Sequence, residues 1–219
     1  MAGMRSYNDR CGIARALDVV GARWALLVVR ELLLGPKRFT DLRAGLPHIG
    51  PDVLAKRLRQ LADAGLLIRR TLDPPAASKV YELTERGQAL EGVVLELGRW
   101  GSGVTFAEDE DATLGPDAFV LALKTMFPPA GSGGLETTID LRLDGIGYRV
   151  DLGPDGMGAI RGHASGPAAS IEGSPGDLAR LLWHDGGPAA VLGADEVTID
   201  GDRRVAKRFL GLFTLPVTA

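Results

Sequence analysis

The sequence predicts two domains of different fold class: a mainly helical N-terminal domain and an α+β C-terminal domain with an antiparallel sheet. Apolar residues recur at helical spacing through most of residues 12–64, whereas they alternate with polar residues in much of 135–173. Charge divides the chain as well, with 16 Lys and Arg against 11 Asp and Glu in residues 1–101, and 9 against 17 in residues 102–219. We predict domains at 1–101 and 117–219, joined by a linker at 102–116 that contains four consecutive acids.

The helices of the first domain are marked by glycine and proline. The segment CGIARALDVVG predicts a helix that stops at Gly21, and ARWALLVVRELLLG a second that stops at Gly35. A short third helix, FTDLRAG, offers Thr40 as its cap. The fourth helix begins at Pro51, where the missing N–H of a first-turn proline is harmless.

The fourth helix has two faces of different character. Its apolar side is predicted to contain Leu54, Leu58, Leu61 and Ala62, and this side belongs to the core. The other side exposes a mixture of polar and apolar side chains in its first three turns, which are Asp52, Val53, Lys56, Arg57 and Gln60. This second face must contact either solvent or a partner.

A hairpin and a long helix complete the first domain. LLIRRTL and KVYELT are strand-like, and the two prolines of DPPAAS between them belong to its tip. From Thr84 onward, TERGQALEGVVLELGRWG predicts one helix with an apolar stripe. Such a stripe has to be buried against something.

The second domain alternates short strands with turns between helices. DAFVLALKTMF is predicted to be helical, and four alternating segments, LETTIDLRLDG, IGYRVDLGPDG, MGAIRGHA and AASIEG, predict an antiparallel meander. Ser174, Pro175 and Asp177 form a capping box that opens the next helix. A further strand, DEVTIDG, precedes a closing helix, DRRVAKRFLGLF.

Composition and segment lengths argue against several classes of protein. No apolar run approaches the roughly 20 residues that span a bilayer, and the N-terminus lacks the apolar core of a secretory signal. We therefore expect a soluble, cytoplasmic protein with no membrane partner.

A single cysteine and three scattered histidines argue against a zinc site, and we expect no metal and no cofactor. The sequence shows no catalytic constellation, so we do not expect an enzyme.

The order helix, short helix, turn, helix and basic hairpin is that of a winged helix-turn-helix. The major groove of B-DNA admits one α-helix, and a basic N-terminal half, net +5, favours a polyanionic partner. The acidic C-terminal half, net −8, is not expected to contact one. We predict that double-stranded DNA is contacted by Arg38, Thr40, His48, Asp52, Val53, Lys56, Arg57, Gln60, Arg70 and Lys79.

The chain from about Cys11 to Gly101 resembles the HxlR-type family of winged helix regulators. The resemblance rests on CGIARALDVVGARWALLVVRELLLGPKRFTDLR, VLAKRLRQLADAGLLIRR and VYELTERG, and the sequence departs from the family at HIGPD, where a serine commonly precedes the recognition helix. It implies a homodimeric transcriptional regulator whose first and last helices pair across a two-fold axis, on operator half-sites about 34 Å apart. The dimerisation residues it implies are Ile13, Leu17, Leu90, Val93, Val94, Leu97 and Trp100.

Residues 117–219 resemble a sterol-carrier-protein-2-like domain, through the sheet followed by AASIEGSPGDLARLLW, VTIDGD and the closing helix. This resemblance implies a pocket for an apolar small-molecule effector, although each aromatic side chain is also expected in an ordinary core. The candidate liners are Phe119, Leu123, Phe127, Trp183, Phe209 and Phe213.

Two further alternatives stay open at this stage. Cys11 lies near a helix start and two arginines, which favours a redox-sensing thiolate, but it also fits a small residue buried at a dimer seam. The whole chain also fits a lipid or small-molecule carrier whose N-terminal half only dimerises. The exposed cations of the fourth helix argue against the carrier, because a pure dimerisation module gains nothing from them.

Overall fold

A computed structural model describes residues 6–73, 77–102 and 113–213 of the chain. It contains two compact units, residues 1–94 and 95–219. Most of the predicted linker, residues 103–112, lies outside the described residues, so the predicted domain limits stay a prediction. The two units are described separately.

The first unit follows the predicted order of elements. The first four helices are α1 (Gly12–Val20), α2 (Ala25–Leu32), α3 (Phe39–Gly45) and α4 (Pro51–Asp63). They are followed by β1 (Leu67–Thr71), β2 (Lys79–Leu83), α5 (Glu85–Gln88) and α6 (Glu91–Gly101), of which α6 extends past the limit of the unit. Strands β1 and β2 pair antiparallel, as predicted for the wing.

Helix boundaries differ from the predictions at three places. Helix α2 begins at Ala25, because Trp24 before it has a left-handed backbone with φ of 77°. Thr40 is not the cap of α3: the cap is Arg38, whose backbone N–H donates to the Asp41 carboxylate at 3.0 Å. The single helix predicted after Thr84 is interrupted by a turn at residues 89–90.

The core of the first unit is formed by apolar side chains of α2, α3, α4 and the hairpin. Leu54, Leu58 and Leu61 are buried as predicted, whereas Ala62 is exposed, since the apolar stripe of α4 is narrower than its sequence suggested. Beside this core Glu31 and Lys37 are also buried. A leucine-rich helix thus carries a buried carboxylate.

Glu31 forms an ion pair with Lys37 through one oxygen and with Arg30, at 2.8 Å, through the other. The backbone of Lys37 bridges to Tyr81 of β2, so the pair connects α2 to the wing. Gly45 is required at the end of α3, because a Cβ there would lie 2.1 Å from the Glu31 carboxylate. Removing one partner of such a pair leaves an uncompensated buried charge.

The second unit is an α+β arrangement. Its elements are α7 (Pro116–Met126), β3 (Thr137–Leu143), β4 (Ile146–Gly153), β5 (Gly156–Arg161), β6 (Ala169–Gly173), α8 (Pro175–Trp183), α9 (Pro188–Gly193), β7 (Thr198–Gly201) and α10 (Arg203–Leu210). Ser174 caps α8 by accepting from the Asp177 N–H at 3.0 Å, as the capping box predicted. The predicted closing helix is α10, capped by Asp202.

The prediction of a purely antiparallel sheet is wrong. The strand order is β5-β4-β3-β6-β7, and β3 pairs with β6 in parallel while the other neighbours pair antiparallel. After the β3-β4-β5 meander the chain crosses the sheet and places β6 on the free edge of β3. The alternation of polar and apolar residues predicts where each strand lies in the sequence. It does not predict which edge of the sheet a later strand joins.

The crossing segment, residues 162–168, is held against the polar face of the sheet. Asp140, on the face of β3 opposite Leu141, accepts from the Ala164 N–H at 3.0 Å and lies 3.3 Å from His163 Nδ1. Gly147 of β4 leaves room for the His163 ring, because a Cβ there would lie 2.5 Å from it. Burial raises the pKa of Asp140, but hydrogen bonds from Ala164, Arg142 and His163 outweigh it and hold the pKa below its ordinary value.

Among the described residues, no helix is long and apolar enough to cross a membrane.

Candidate nucleic-acid interface

The first turns of α4 present the most open predicted contact residues. Gly50 is the N-cap of α4 and Pro51 its first helical residue, where the missing N–H of proline costs no helical hydrogen bond. Asp52 and Lys56 are exposed, and Val53 keeps 42% of its surface although it is apolar. In the described part of the chain, the side chains of Asp52 and Lys56 make neither a hydrogen bond nor an ion pair. They are therefore available to a partner.

Arg57 and Gln60 are placed differently from the prediction. Both are half-buried, and Arg57 Nη1 donates to Gln60 Oε1 at 2.6 Å. Arg57 Nε is buried and has no hydrogen-bond partner among the described residues, and burial lowers the pKa of the guanidinium. The exposed polar side chains of α4 are Asp52, Lys56, Arg59 and Asp63.

Helix α3 and the turn before α4 add polar groups at the surface. Arg38, Thr40 and His48 are all exposed. Thr40 Oγ1 donates to Asp41 at 3.3 Å, so part of its hydrogen-bonding capacity is used within the helix. Phosphate contacts from such residues fix a protein's orientation on a duplex without reading its sequence.

The wing contains one paired and one unpaired cation among the predicted contacts. Arg70 forms an ion pair with Glu82 on the neighbouring strand, and the hydrogen bond that Arg70 Nε donates to this carboxylate raises the pKa of the arginine. Lys79 is exposed and has no described side-chain partner. The wing tip, residues 74–76, lies outside the described residues. Arg70 is therefore a weaker candidate for phosphate than Lys79.

Most of the predicted dimerisation residues are exposed apolar side chains. Ile13 keeps 72% of its surface exposed and Trp100 keeps 71%. Leu17, Val93 and Leu97 are exposed as well, whereas Leu90 and Val94 are half-buried. Large side chains so exposed on two helices are typical of a surface that another chain covers.

Cys11 is an exposed free thiol at the N-cap of α1. Its backbone N–H donates to Asp9 Oδ1 at 2.8 Å, which fixes the chain at the helix start. The thiol side chain itself is accessible. No group of three or more His, Cys, Asp or Glu side chains in the described ranges is arranged to hold a metal ion.

The predicted pocket liners of the second unit lie in or next to its core. Phe119, Leu123, Phe209 and Phe213 are buried, and Phe127 and Trp183 are half-buried. The Phe119 and Trp183 rings lie 5.6 Å apart between centroids, and the Phe209 and Phe213 rings 4.9 Å apart. Trp183 Nε1 is buried and has no hydrogen-bond partner among the described residues. These contacts fit a packed core as well as a pocket wall.

A buried polar cluster in the second unit was missed by sequence reasoning. Asp117 of α7 accepts from the Tyr148 hydroxyl at 2.5 Å through Oδ1, and Oδ2 forms an ion pair with Arg161. Burial and the nearby carboxylate raise the pKa of Tyr148 well above its ordinary value. The available signal was Arg161 itself, a charge at a position where the alternation of β5 points inward.

Comparison with known proteins places the first unit in a family. The model of the HxlR-like helix-turn-helix family matches residues 19–109. The HTH-type transcriptional regulator YodB of Bacillus subtilis is 34% identical over 100 residues, which are 43% of this chain and 89% of that protein. The uncharacterised regulator YvaP of the same organism is 33% identical over 88 residues, 40% of this chain and 82% of YvaP.

A crystal structure of quinone-bound YodB from B. subtilis matches with 32% sequence identity over 42% of this chain and 97% of that one, at a TM-score of 0.37. The curated relatives show that the chain belongs to the HxlR-like helix-turn-helix family, whose members are transcriptional regulators and not enzymes. The predicted resemblance of the first domain is thereby confirmed. The sterol-carrier-protein-2-like resemblance of the second domain stays a prediction.

Proposed function

We propose that this protein is a homodimeric transcriptional regulator that binds a specific operator in double-stranded DNA, in the cytoplasm. The observation that carries the proposal is the unpaired N-terminal face of α4. Lys56 is exposed without a described partner, and Val53 is exposed although burial would stabilise an apolar side chain. A cation suits guanine or phosphate, and an apolar tip suits the methyl group of thymine.

The remaining predicted contacts surround this face. Arg38, Thr40 and His48 on α3 and the following turn, with Lys79 on the wing, supply phosphate-binding groups at its margins. Arg57 and Gln60 bind each other, so we propose that they hold the shape of the reading surface and contact the DNA less than Lys56 does.

A two-fold dimer suits the exposed apolar side chains of α1 and α6. Ile13, Leu17, Leu97 and Trp100 would be covered by the same residues of a second copy, and an isologous interface of this kind places two copies of α4 on a pseudo-palindromic site. Half-sites about one helical turn, roughly 34 Å, apart are expected.

Control by an effector is the part of the proposal that concerns the second unit. A mainly apolar molecule with one acceptor atom, held among the predicted liners, would accept the hydrogen bond that Trp183 Nε1 does not make to the described residues. Oxidation of the exposed Cys11 is a second route of control, because this thiol lies on the helix that also carries Ile13 and Leu17. Native mass spectrometry of freshly purified protein tests the first route through a retained apolar molecule.

The proposed function is tested by titrating the purified full chain with a duplex from its own upstream region, in the presence of unrelated competitor duplex. Binding of one dimer with a preference over the competitor is expected. Equal binding to both duplexes, with and without oxidant, would contradict sequence-specific regulation and would favour the carrier whose N-terminal half only dimerises.

A further inference from the structure

Most cations in residues 117–219 fall into two groups. Arg142, Arg149, Arg161 and Arg180 all form ion pairs with carboxylates of the same unit. The other group is the set of four cations on α10, which are Arg203, Arg204, Lys207 and Arg208. Within the part of the chain that the structure describes, none of these four forms an ion pair. An acidic domain therefore carries one helix whose positive charge is not neutralised.

The four cations lie on the exposed side of α10. Their spacing of i, i+1, i+4 and i+5 places them in two adjacent rows of one helical face. The opposite face is buried through Ala206, Phe209 and Leu210. Arg203 and Arg208 donate only to backbone carbonyls, of Leu192 at 2.5 Å and of Gly133 at 3.5 Å, and these bonds leave the guanidinium charge in place.

We infer that α10 is a second DNA-contacting surface, which binds backbone phosphates of the duplex that α4 reads. This inference rests on the proposed function, because α10 is joined through the polypeptide chain to α4, which holds the duplex. Tethering converts a weak contact into an intramolecular one at high effective concentration. Phosphate contacts need charge and no base-reading geometry, which fits four exposed cations that form no described ion pair.

The buried face of α10 argues against a membrane as the partner. An interfacial amphipathic helix inserts its apolar face into the lipid, and here that face is already packed into the core of the unit.

The net charge of the second half does not show whether one of its surfaces can bind a polyanion. Residues 117–219 contain 9 cations and 13 acids, net −4, yet four of the nine cations lie within six residues of α10.

The test is the salt dependence of DNA binding by the full chain and by the variant R204Q/K207Q. These two side chains make no described hydrogen bond, so their replacement leaves the fold of α10 intact. The matched control is R149Q/R180Q, which removes the same charge from arginines that are already ion-paired. Fluorescence anisotropy is measured from 50 to 200 mM salt on the upstream duplex and, separately, on an unrelated duplex.

Two lost phosphate contacts in each copy are four in a bound dimer and lower the slope of log K against log salt by about 3.6, so the wild type should lose roughly 100-fold more affinity over this salt range than R204Q/K207Q. The control should keep the wild-type slope. An unchanged slope in R204Q/K207Q, or an equal change in both variants, overturns the inference. The unrelated duplex separates the two proposals. If the wild type shows no preference for the upstream duplex, the proposed function is overturned. The smaller salt slope of R204Q/K207Q is expected on both duplexes, so it tests the role of α10 independently.

Discussion

The two units use positive charge in opposite ways, and the difference lies in the partners of the cations. In the first unit Lys56 and Lys79 are exposed without described partners, while the buried Lys37 is neutralised by Glu31. In the second unit the arginines of the sheet and of α8 are paired, whereas the four cations of α10 form no ion pair with the described residues. Net charge per domain therefore says less about binding than the pairing of each cation does.

The largest effect is expected where a paired charge is broken in the core. Lys37→Met should destabilise the first unit by about 3–5 kcal/mol, because Glu31 is left buried with Arg30 alone. Urea unfolding monitored by circular dichroism measures the loss. The control Arg70→Gln removes an ion pair with Glu82 that is partly exposed and should cost under about 1 kcal/mol. Equal losses for both would show that the Glu31 pair is not a structural element.

A slightly smaller effect is expected at the proposed dimer surface. Trp100→Ser should weaken self-association by about 2–4 kcal/mol, since Trp is a frequent hot-spot residue of interfaces, Trp100 is exposed, and a two-fold interface contains it twice. Sedimentation velocity measures the change. Ile160→Ser, which alters an exposed apolar residue of the second unit, is the matched control. A dimer that survives Trp100→Ser unchanged places the interface elsewhere.

The next largest effect is expected on DNA binding at Lys56, which has no described partner. Lys56→Ala should weaken operator binding by about 1–3 kcal/mol if this lysine contacts a base, or lower the salt slope by about one if it contacts phosphate. Arg70→Ala should do less in the same titration, because Glu82 already offsets its charge. Unchanged affinity and slope for Lys56→Ala would remove this residue from the interface.

The smallest effect concerns the pH dependence of the second unit. The pKa of Asp140 is lowered in the folded chain, so its contribution to stability is present above its unfolded pKa of about 3.9 and is lost as the pH falls through the lower folded pKa. The stability difference between wild type and Asp140→Asn should therefore shrink below about pH 4. Asp144→Asn, in an exposed turn, is the control. A difference that stays constant from pH 6 to pH 3 would contradict this role of Asp140.

Sequence patterns predicted local structure better than long-range partners. The stop of α1 at Gly21, the start of α4 at Pro51 and the capping box at Ser174 were all recoverable, because each depends on a few neighbouring residues. The parallel pairing of β3 with β6 was not, since it depends on which sheet edge is free after the meander.

The candidate site shows the same limit. The exposed positions of Lys56 and Val53 followed from helical periodicity, but the contact between Arg57 and Gln60 and the pairing of Arg70 with Glu82 depend on side-chain geometry. The cluster around Asp117 joins residues 31 and 44 positions apart in the chain, and no local pattern connects them. Averaging charge over the second half also concealed the basic face of α10.

We propose above all that α4 enters the major groove, and DNA cleavage by a chelate attached to α4 is the most direct test of this. Because Cys11 is the chain's single cysteine, a Cys11→Ser/Val53→Cys variant accepts one iron chelate at the start of α4, and the chelate cleaves nearby DNA. Cleavage of the upstream duplex at two positions about one helical turn apart, with offsets typical of the major groove, is the predicted result. The proposed entry of α4 is contradicted if the variant still binds the upstream duplex but cleaves it no more strongly than an unrelated duplex. That result would show that α4 does not enter the groove.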